Sequence, residues 1–338
     1  MRSRFLKKPG HRIRRQNMKQ IIASAPGSIM ITGEHAVVYG HPAMTCAIDQ
    51  RVSVTIKPTE TGYVEIISEI APIERLSLNE PISLEGPLRF VRSAIATCQD
   101  GLSGGLRLEI ASSINPNLGL GSSAAVTIAA LGALSAASNA PAAAATGPSL
   151  HHKSLRIVRQ LQDGRGSGAD LAASLQGGLI EYQLIQHDDE SRIDPDVSAR
   201  FSRLPDPPPL SLRYAGYKTP TGTVLAQIAK RMEGRDQEFT QLYARMGKEA
   251  SVAISAARAH DWDRVAQSMN HYQLLMAELG VSDNTLDKIV ESACQDPTVM
   301  AAKISGAGLG DCVVAMGALP DGFTPMNIAQ SGLVVSVE

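Results

Sequence analysis

The chain has 338 residues, 43% of them hydrophobic and 19% charged, with 29 glycines and 19 prolines. That balance buries a core and excludes wholesale disorder, and at roughly 100 to 200 residues per domain the length suits two domains. Lysine and arginine total 32 against 33 acidic residues, so the basic excess of a nonspecific nucleic-acid binder is absent, and no apolar run approaches the roughly 18 residues of a membrane span.

The near-neutral sum conceals an asymmetry. Arg2, Arg4, Lys7, Lys8, Arg12, Arg14 and Arg15 stand in residues 1–17 without an acid, and the remainder carries 25 basic against 33 acidic residues. Residues 1–17 are expected to be a disordered basic leader, with Met18 as an alternative start, because the apolar stretch of a secretory signal is missing. Cys46, Cys98, Cys294 and Cys312 are scattered without a Cys-x-x-Cys pair, which argues against a zinc site or a disulfide framework and for a cytoplasmic protein.

In chain order, Ile21–Ala25, Val52–Lys57, Tyr63–Ile67 and Leu106–Ile110 are β-branched apolar runs and predict strands. Pro87–Cys98 and Ser123–Ala137 predict helices from apolar spacing and alanine content. Residues 139–149 are alanine-rich and low in complexity and predict a surface spacer. The polar, then proline-rich stretch 186–209 predicts a linker between an N-terminal unit, 18–185, and a C-terminal unit, 210–338. Beyond it, a strand is expected at Leu212–Tyr217, helices at Val224–Arg231 and through much of 237–294, and apolar segments at Val299–Ile304 and Cys312–Met316. The chain is therefore α+β.

Three glycine-rich segments and one acid carry the chemistry. Asn115-Pro-Asn117-Leu-Gly119-Leu120-Gly121-Ser122-Ser123-Ala124-Ala125 runs straight into a helix. Glycines let a backbone approach an oxyanion, and the N–H groups of a helix start favour negative charge, so this is a phosphate cradle. Ser122 and Ser123 either cap the helix or offer hydroxyls to a phosphate or Mg²⁺. Lys303-Ile-Ser305-Gly306-Ala307-Gly308-Leu-Gly310-Asp311-Cys312 reads as a hairpin turn or a nucleotide contact. In Ala25-Pro-Gly-Ser28 through Gly33-Glu34-His35 to Gly40, Glu34 and His35 form a satisfied buried pair or part of a substrate pocket. In Gly164-Arg165-Gly-Ser167-Gly-Ala-Asp170 the acid is a helix cap or a catalyst.

Read together and in this order, these segments resemble the GHMP kinases: galactokinase, homoserine kinase, mevalonate kinase and phosphomevalonate kinase. The resemblance spans about Ile21 to Gly317, including Asn270-His271-Tyr-Gln273-Leu-Leu. It implies a two-domain fold, a ribosomal-protein-like α+β domain followed by an α+β sandwich, with ATP and a small-molecule acceptor in the cleft between them and a monomer or homodimer as the unit. It also implies that Asn117 and Gly119–Ala124 hold ATP, that Ser122 or Ser123 meets Mg²⁺, and that Asp170, with Ser28 beside it, acts on the acceptor. Glu34, His35, Arg165, Ser167, Lys218, Thr219 and Ser305–Gly308 are then acceptor-side residues. Two positions depart from the family: Ser28 replaces a common lysine, and Arg159 stands where mevalonate kinases commonly place a magnesium-binding glutamate.

Gly33-Glu34-His35-Ala-Val-Val-Tyr-Gly40 is similar to mevalonate kinases. The Asp170 segment, Gly310-Asp311-Cys312 and the turn Tyr214–Thr221 are closer to phosphomevalonate kinases. The expectation is therefore 5-phosphomevalonate as acceptor, with Arg165 and Lys218 on its phosphate. Mevalonate is the alternative, and a mevalonate 3-kinase, a diphosphomevalonate decarboxylase or a non-catalytic relative stand lower.

Overall fold

The computed structural model describes residues 20–102, 104–115, 118–138, 147–185 and 198–338. The expected leader, residues 139–146 of the expected spacer, residues 186–197 of the expected linker, and Asn117 lie outside them.

The first part of the chain builds β1 (Ile21–Thr32), β2 (Ala43–Thr59), β3 (Tyr63–Ser68), β4 (Ala71–Ser77), α1 (Arg89–Cys98), β5 (Gly105–Ser112), α2 (Ser122–Ala137), α3 (Gly147–Leu161), α4 (Ala169–Gln176) and β6 (Leu179–Ile185). The second part adds β7 (Ser198–Leu204), β8 (Leu210–Lys218), α5 (Thr221–Met232), α6 (Asp236–Arg258), α7 (Trp262–Leu279), α8 (Asn284–Cys294), β9 (Val299–Ser305), β10 (Gly310–Gly317), β11 (Thr324–Met326) and β12 (Val334–Val337). One sheet runs β12-β1-β2-β5-β3-β4, with β6 pairing β2 and β7 pairing β6, and a second runs β11-β8-β10-β9.

Two strands cross the expected division into units. β7 occupies part of the expected linker because its residues pair antiparallel with β6, from Leu179 opposite Leu204 to Ile185 opposite Ser198. At the other end, β12 leaves the second unit and pairs with β1, Ile21 opposite Val337, so the chain closes on its first sheet.

Apolar patterning explains the layers. α2 is made of small and aliphatic residues and is buried along almost its whole length, which lets it pack closely on β1 and β2 with α1, α3 and α4 around it. In β10, Cys312, Val314 and Met316 face a core shared with Ile29, Cys46 and Ile48 of the first sheet, while Val313 and Ala315 face the core under α6, α7 and α8. This two-residue alternation buries both faces of β10 and joins the two parts through common packing. α7 also satisfies backbone at the sheet's β9 edge: Gln273 Oε1 accepts from the Ile304 N–H at 2.9 Å and Asn270 Oδ1 from the Ala302 N–H at 3.3 Å.

The strand expected at Ile21–Ala25 extends to Thr32, because Pro26 and Gly27 sit at a register shift where Pro26 opposes Arg51 and Gly27 opposes Ile48. A proline lacks the ladder donor, and the bulge accommodates it and re-aims the strand. A Cβ on Gly27 would lie 2.5 Å from the Leu120 carbonyl oxygen, so the phosphate-type loop rests directly on β1.

Candidate active site

Between the two parts lies a cleft of about 280 Å³. Gly119–Ala124 form one wall, with Gly121 at φ +66° as the N-cap of α2. No side chain caps this helix, which removes the capping role considered for Ser122 and Ser123 and leaves both lining the cleft. Gly121 has to be glycine: a Cβ there would lie 2.3 Å from Ser28 Oγ, and the Ser28 N–H donates to the Leu120 carbonyl at 3.1 Å.

Asp170 is not a cap either. Gly168 holds the N-cap position of α4, and the Asp170 carboxylate accepts from Ser28 Oγ at 2.9 Å. Burial pushes its carboxyl above the usual carboxylate range; the Ser28 bond opposes that shift, the Glu34 charge adds to it, and the Lys218 charge opposes it. The loop leading to Asp170 is fixed from behind. Tyr182 Oη donates to the Ser167 carbonyl at 2.5 Å, a His151 ring nitrogen bonds the Gly168 carbonyl at 3.0 Å, and Arg159 Nη1 reaches the Gly166 carbonyl at 3.4 Å. Arg159 is therefore a buried brace for the loop leading to Asp170, and its side chain points to that backbone in place of an acid.

On another wall of the cleft, Glu34 and His35 follow β1. Glu34 and His35 do not pair with each other: Glu34 Oε1 is 2.5 Å from the fully buried Lys303 ammonium, and both residues line the cleft. Glu34 Oε2 is buried without a hydrogen-bond partner among the described residues. His35 Nε2 is 2.9 Å from the Ala307 carbonyl, so that nitrogen carries the proton and donates. Burial lowers its pKa to about 4, which keeps the ring neutral near pH 7. Ser305 bridges the two parts of the chain: its hydroxyl accepts from the Met30 N–H at 3.1 Å and donates to the Met30 carbonyl at 3.0 Å.

Arg165, Ser167, Lys218, Gly306 and Ala307 line the same cleft. Thr219 and Gly308, expected on the acceptor side, are not in its lining: Thr219 donates from Oγ1 to the Leu309 carbonyl at 2.6 Å, and Gly308 packs against Val281. The segment Gly306–Leu309 links antiparallel β9 and β10, so the hairpin and the cleft wall are the same object.

Three residues at the site were given no role of their own by the sequence. Lys303 is hidden in an apolar run, and Tyr272 is one helical residue among many. Yet the Lys303 ammonium sits 5.5 Å from the Tyr272 ring centre, and Tyr272 Oη donates to the Glu34 carbonyl at 2.7 Å. The third is Asp311, at φ 62°, whose Oδ1 is 3.3 Å from Lys218 Nζ.

The profile for the GHMP kinases N-terminal domain matches residues 89–178, that for the GHMP kinases C-terminal domain matches 253–321, and a galactokinase galactose-binding signature matches 11–58. The chain belongs to the GHMP kinase family. It is 29% identical to the mevalonate kinase of Pyrococcus furiosus over 316 residues, covering 88% of this chain and 89% of that one. It is 30% identical to that of Methanothermobacter thermautotrophicus over 314 residues, covering 90% and 93%. Among solved structures, Methanococcus jannaschii mevalonate kinase aligns at a TM-score of 0.69 and 24% identity over 90% of this chain and 92% of that one. Streptococcus pneumoniae phosphomevalonate kinase, solved with phosphomevalonate and AMPPNP, aligns at 0.72 and 18% identity over 89% and 93%. The fold is thus common to both kinases.

Proposed function

We propose that this chain is an ATP-dependent mevalonate kinase that phosphorylates the 5-hydroxyl of mevalonate. The observation that carries the reading is the full-length similarity, at 29 to 30% identity, to proteins named mevalonate kinase. This reverses the preference for 5-phosphomevalonate, and the contacts of the residues behind that preference support the reversal. The Asp170 segment owes its form to the brace by Tyr182, His151 and Arg159. Asp311 faces the phosphate-type loop, where a Cβ on Gly119 would lie 2.8 Å from its Oδ1. Lys218 is paired with Asp311, beside Gly119 of that loop, which turns it to the nucleotide side, whereas a doubly charged acceptor phosphate calls for surplus cations of its own.

In the reaction, backbone N–H groups of Gly119–Ala125 at the α2 N-terminus receive the ATP phosphates. Asp170 takes the acceptor hydroxyl's proton, its raised pKa suiting a base that must also release it. Ser28 holds the carboxylate in place, and Glu34 and neutral His35 shape the acceptor end. Magnesium fits here as an ion that would be held mainly by nucleotide phosphates and water: the Ser122 and Ser123 hydroxyls would be the oxygen donors, and no three acidic or metal-ligating side chains are placed to hold an ion by themselves among the described residues. When bound it supplies charge neutralisation to the phosphates.

The test is turnover of ATP with mevalonate and with 5-phosphomevalonate, with the product identified by phosphorus NMR. Formation of 5-phosphomevalonate from mevalonate is expected. Turnover of the phosphorylated acid alone would overturn the proposal, as would a 3-phosphate product.

A further inference from the structure

Phosphoryl transfer as described leaves Asp311 unused, yet the fold is shaped around it. Its carboxylate lies between two glycine loops: a Cβ on Gly119 would come 2.8 Å from Oδ1, and one on Gly306 would come 3.2 Å from Oδ2. Its backbone adopts φ 62°, a conformation L-residues rarely take and one that is retained where surrounding structure enforces it. Next to it, Gly310 pairs with Lys218 across β8 and β10, and a Cβ on Gly310 would lie 3.1 Å from the Lys218 Cα and 2.7 Å from the Tyr217 carbonyl oxygen. Glycine is therefore what lets the two strands come close enough for Lys218 Nζ to stand 3.3 Å from Asp311 Oδ1. Thr219, the residue after Lys218, donates from Oγ1 to the Leu309 carbonyl at 2.6 Å, fixing the backbone beside the lysine as well.

The electrostatics of the cleft give this arrangement a purpose. Asp170, Glu34 and Asp311 surround the place where a phosphoryl group must pass, and Lys218 and Arg165 are the lysine and arginine lining it among the described residues. The charge of Lys218 opposes protonation of both Asp170 and Asp311, so the ammonium acts on the base and on the phosphate side at once. Phosphoryl transfer accumulates negative charge on the equatorial oxygens of the moving group, and a cation already positioned there lowers the barrier.

We infer that Lys218 is a catalytic residue that stabilises the phosphoryl group in transit, and that Asp311 is the positioning residue that holds its ammonium over the phosphate loop. The inference rests on the kinase reading. In the step, the acceptor oxygen forms a bond to the γ-phosphorus while the γ-phosphorus bond to the bridging oxygen breaks. The electron pair of that bond goes to ADP, and the acceptor's proton goes to Asp170. Lys218 keeps its protons and contributes charge alone.

The experiment is a titration of the wild type, Lys218→Ala, Lys218→Arg and Asp311→Asn with Mg·ADP, with and without aluminium fluoride, which mimics the moving phosphoryl group, alongside kcat and KM for mevalonate. Lys218→Ala should bind Mg·ADP within about threefold of wild type yet lose about 10²- to 10³-fold in affinity for the fluoride complex and in kcat. Lys218→Arg should regain part of both, and Asp311→Asn should show a smaller loss in the same direction with its melting temperature preserved. Equal weakening of ADP and its fluoride complex in Lys218→Ala, no weakening of either, or a wild type that gains nothing from fluoride would each overturn the inference. A wild type that turns over no mevalonate but does bind the fluoride complex through Lys218 would sink only the acceptor assignment.

Discussion

The Ser28 hydroxyl donates to Asp170 Oδ1 at 2.9 Å across 142 positions of sequence, and the same hydroxyl occupies the space that a side chain on Gly121 would need. Asp170 and the glycine loop at the start of α2 are therefore in register through one small residue. A larger side chain at position 28 disturbs both, which is why the departure from lysine belongs with the local backbone and with the cation across the cleft.

Asp170→Asn should lower kcat by about 10²- to 10⁴-fold with ATP binding close to wild type, since it removes a positioned base and leaves the phosphate loop intact. It should also raise the melting temperature at neutral pH. A buried carboxyl with a raised pKa adds no penalty when both folded and unfolded states are protonated; the penalty grows as pH rises from the ordinary carboxylate range through the folded value, then stays constant. The stabilisation of the variant should therefore shrink as the pH is lowered. Calorimetry across pH checks this, and an asparagine variant less stable than wild type at pH 7 contradicts it.

Ser28→Ala should shift the acidic limb of the kcat/KM profile for mevalonate to higher pH. The Ser28 bond lowers the carboxyl's proton affinity, so its loss raises a pKa already lifted by burial, and the ionised base is then populated only at higher pH. An unmoved limb means that Asp170 is not the group titrating in the profile.

The sequence made the glycine loops and Asp170 legible because each carries a local chemical reason: positive φ, close backbone approach, or an acid at a helix start. It also showed the strand and helix periodicities that build both sheets. What stayed hidden was long-range pairing. Lys303 looks like an impurity in an apolar strand until Glu34 is brought to it from 269 positions away. Asp311 looks like a turn residue until Gly119 meets it. β12 carries too few residues to announce that it belongs with β1. The surroundings of the phosphomevalonate-like segments were hidden for the same reason: Asp311 neighbours the Gly119 loop, and the Asp170 segment is braced from behind by Tyr182 and His151.

Gly121→Ala should raise the ATP KM at least tenfold and lower the melting temperature. Its φ of +66° costs a non-glycine residue roughly 1 kcal/mol, and the 2.3 Å approach to Ser28 Oγ must in addition be relieved by moving the loop. Gly216→Ala is the control: φ is +92° there, with no atom within 4 Å of the added Cβ. It should cost stability through backbone strain alone and leave the ATP KM unchanged. Equal ATP KM values for the two variants would show that the Ser28 contact does not shape the nucleotide site.

Lys303→Met should be among the more destabilising single changes at the site. The lysine is fully buried, its amine proton affinity is lowered by burial and partly restored by Glu34, and its removal leaves the Glu34 carboxylate in the interior without its cation. Breaking a buried pair from one side costs about 3 to 5 kcal/mol, whereas removing both charges is far less costly. Glu34→Gln alone should also destabilise, because it strands the ammonium over the Tyr272 ring with a neutral partner. The double variant should recover part of the loss, so chemical denaturation of the four proteins in a cycle should return a coupling well above 1 kcal/mol. Additive losses would mean that the two groups contribute by packing, and the double variant would then be the least stable of the four.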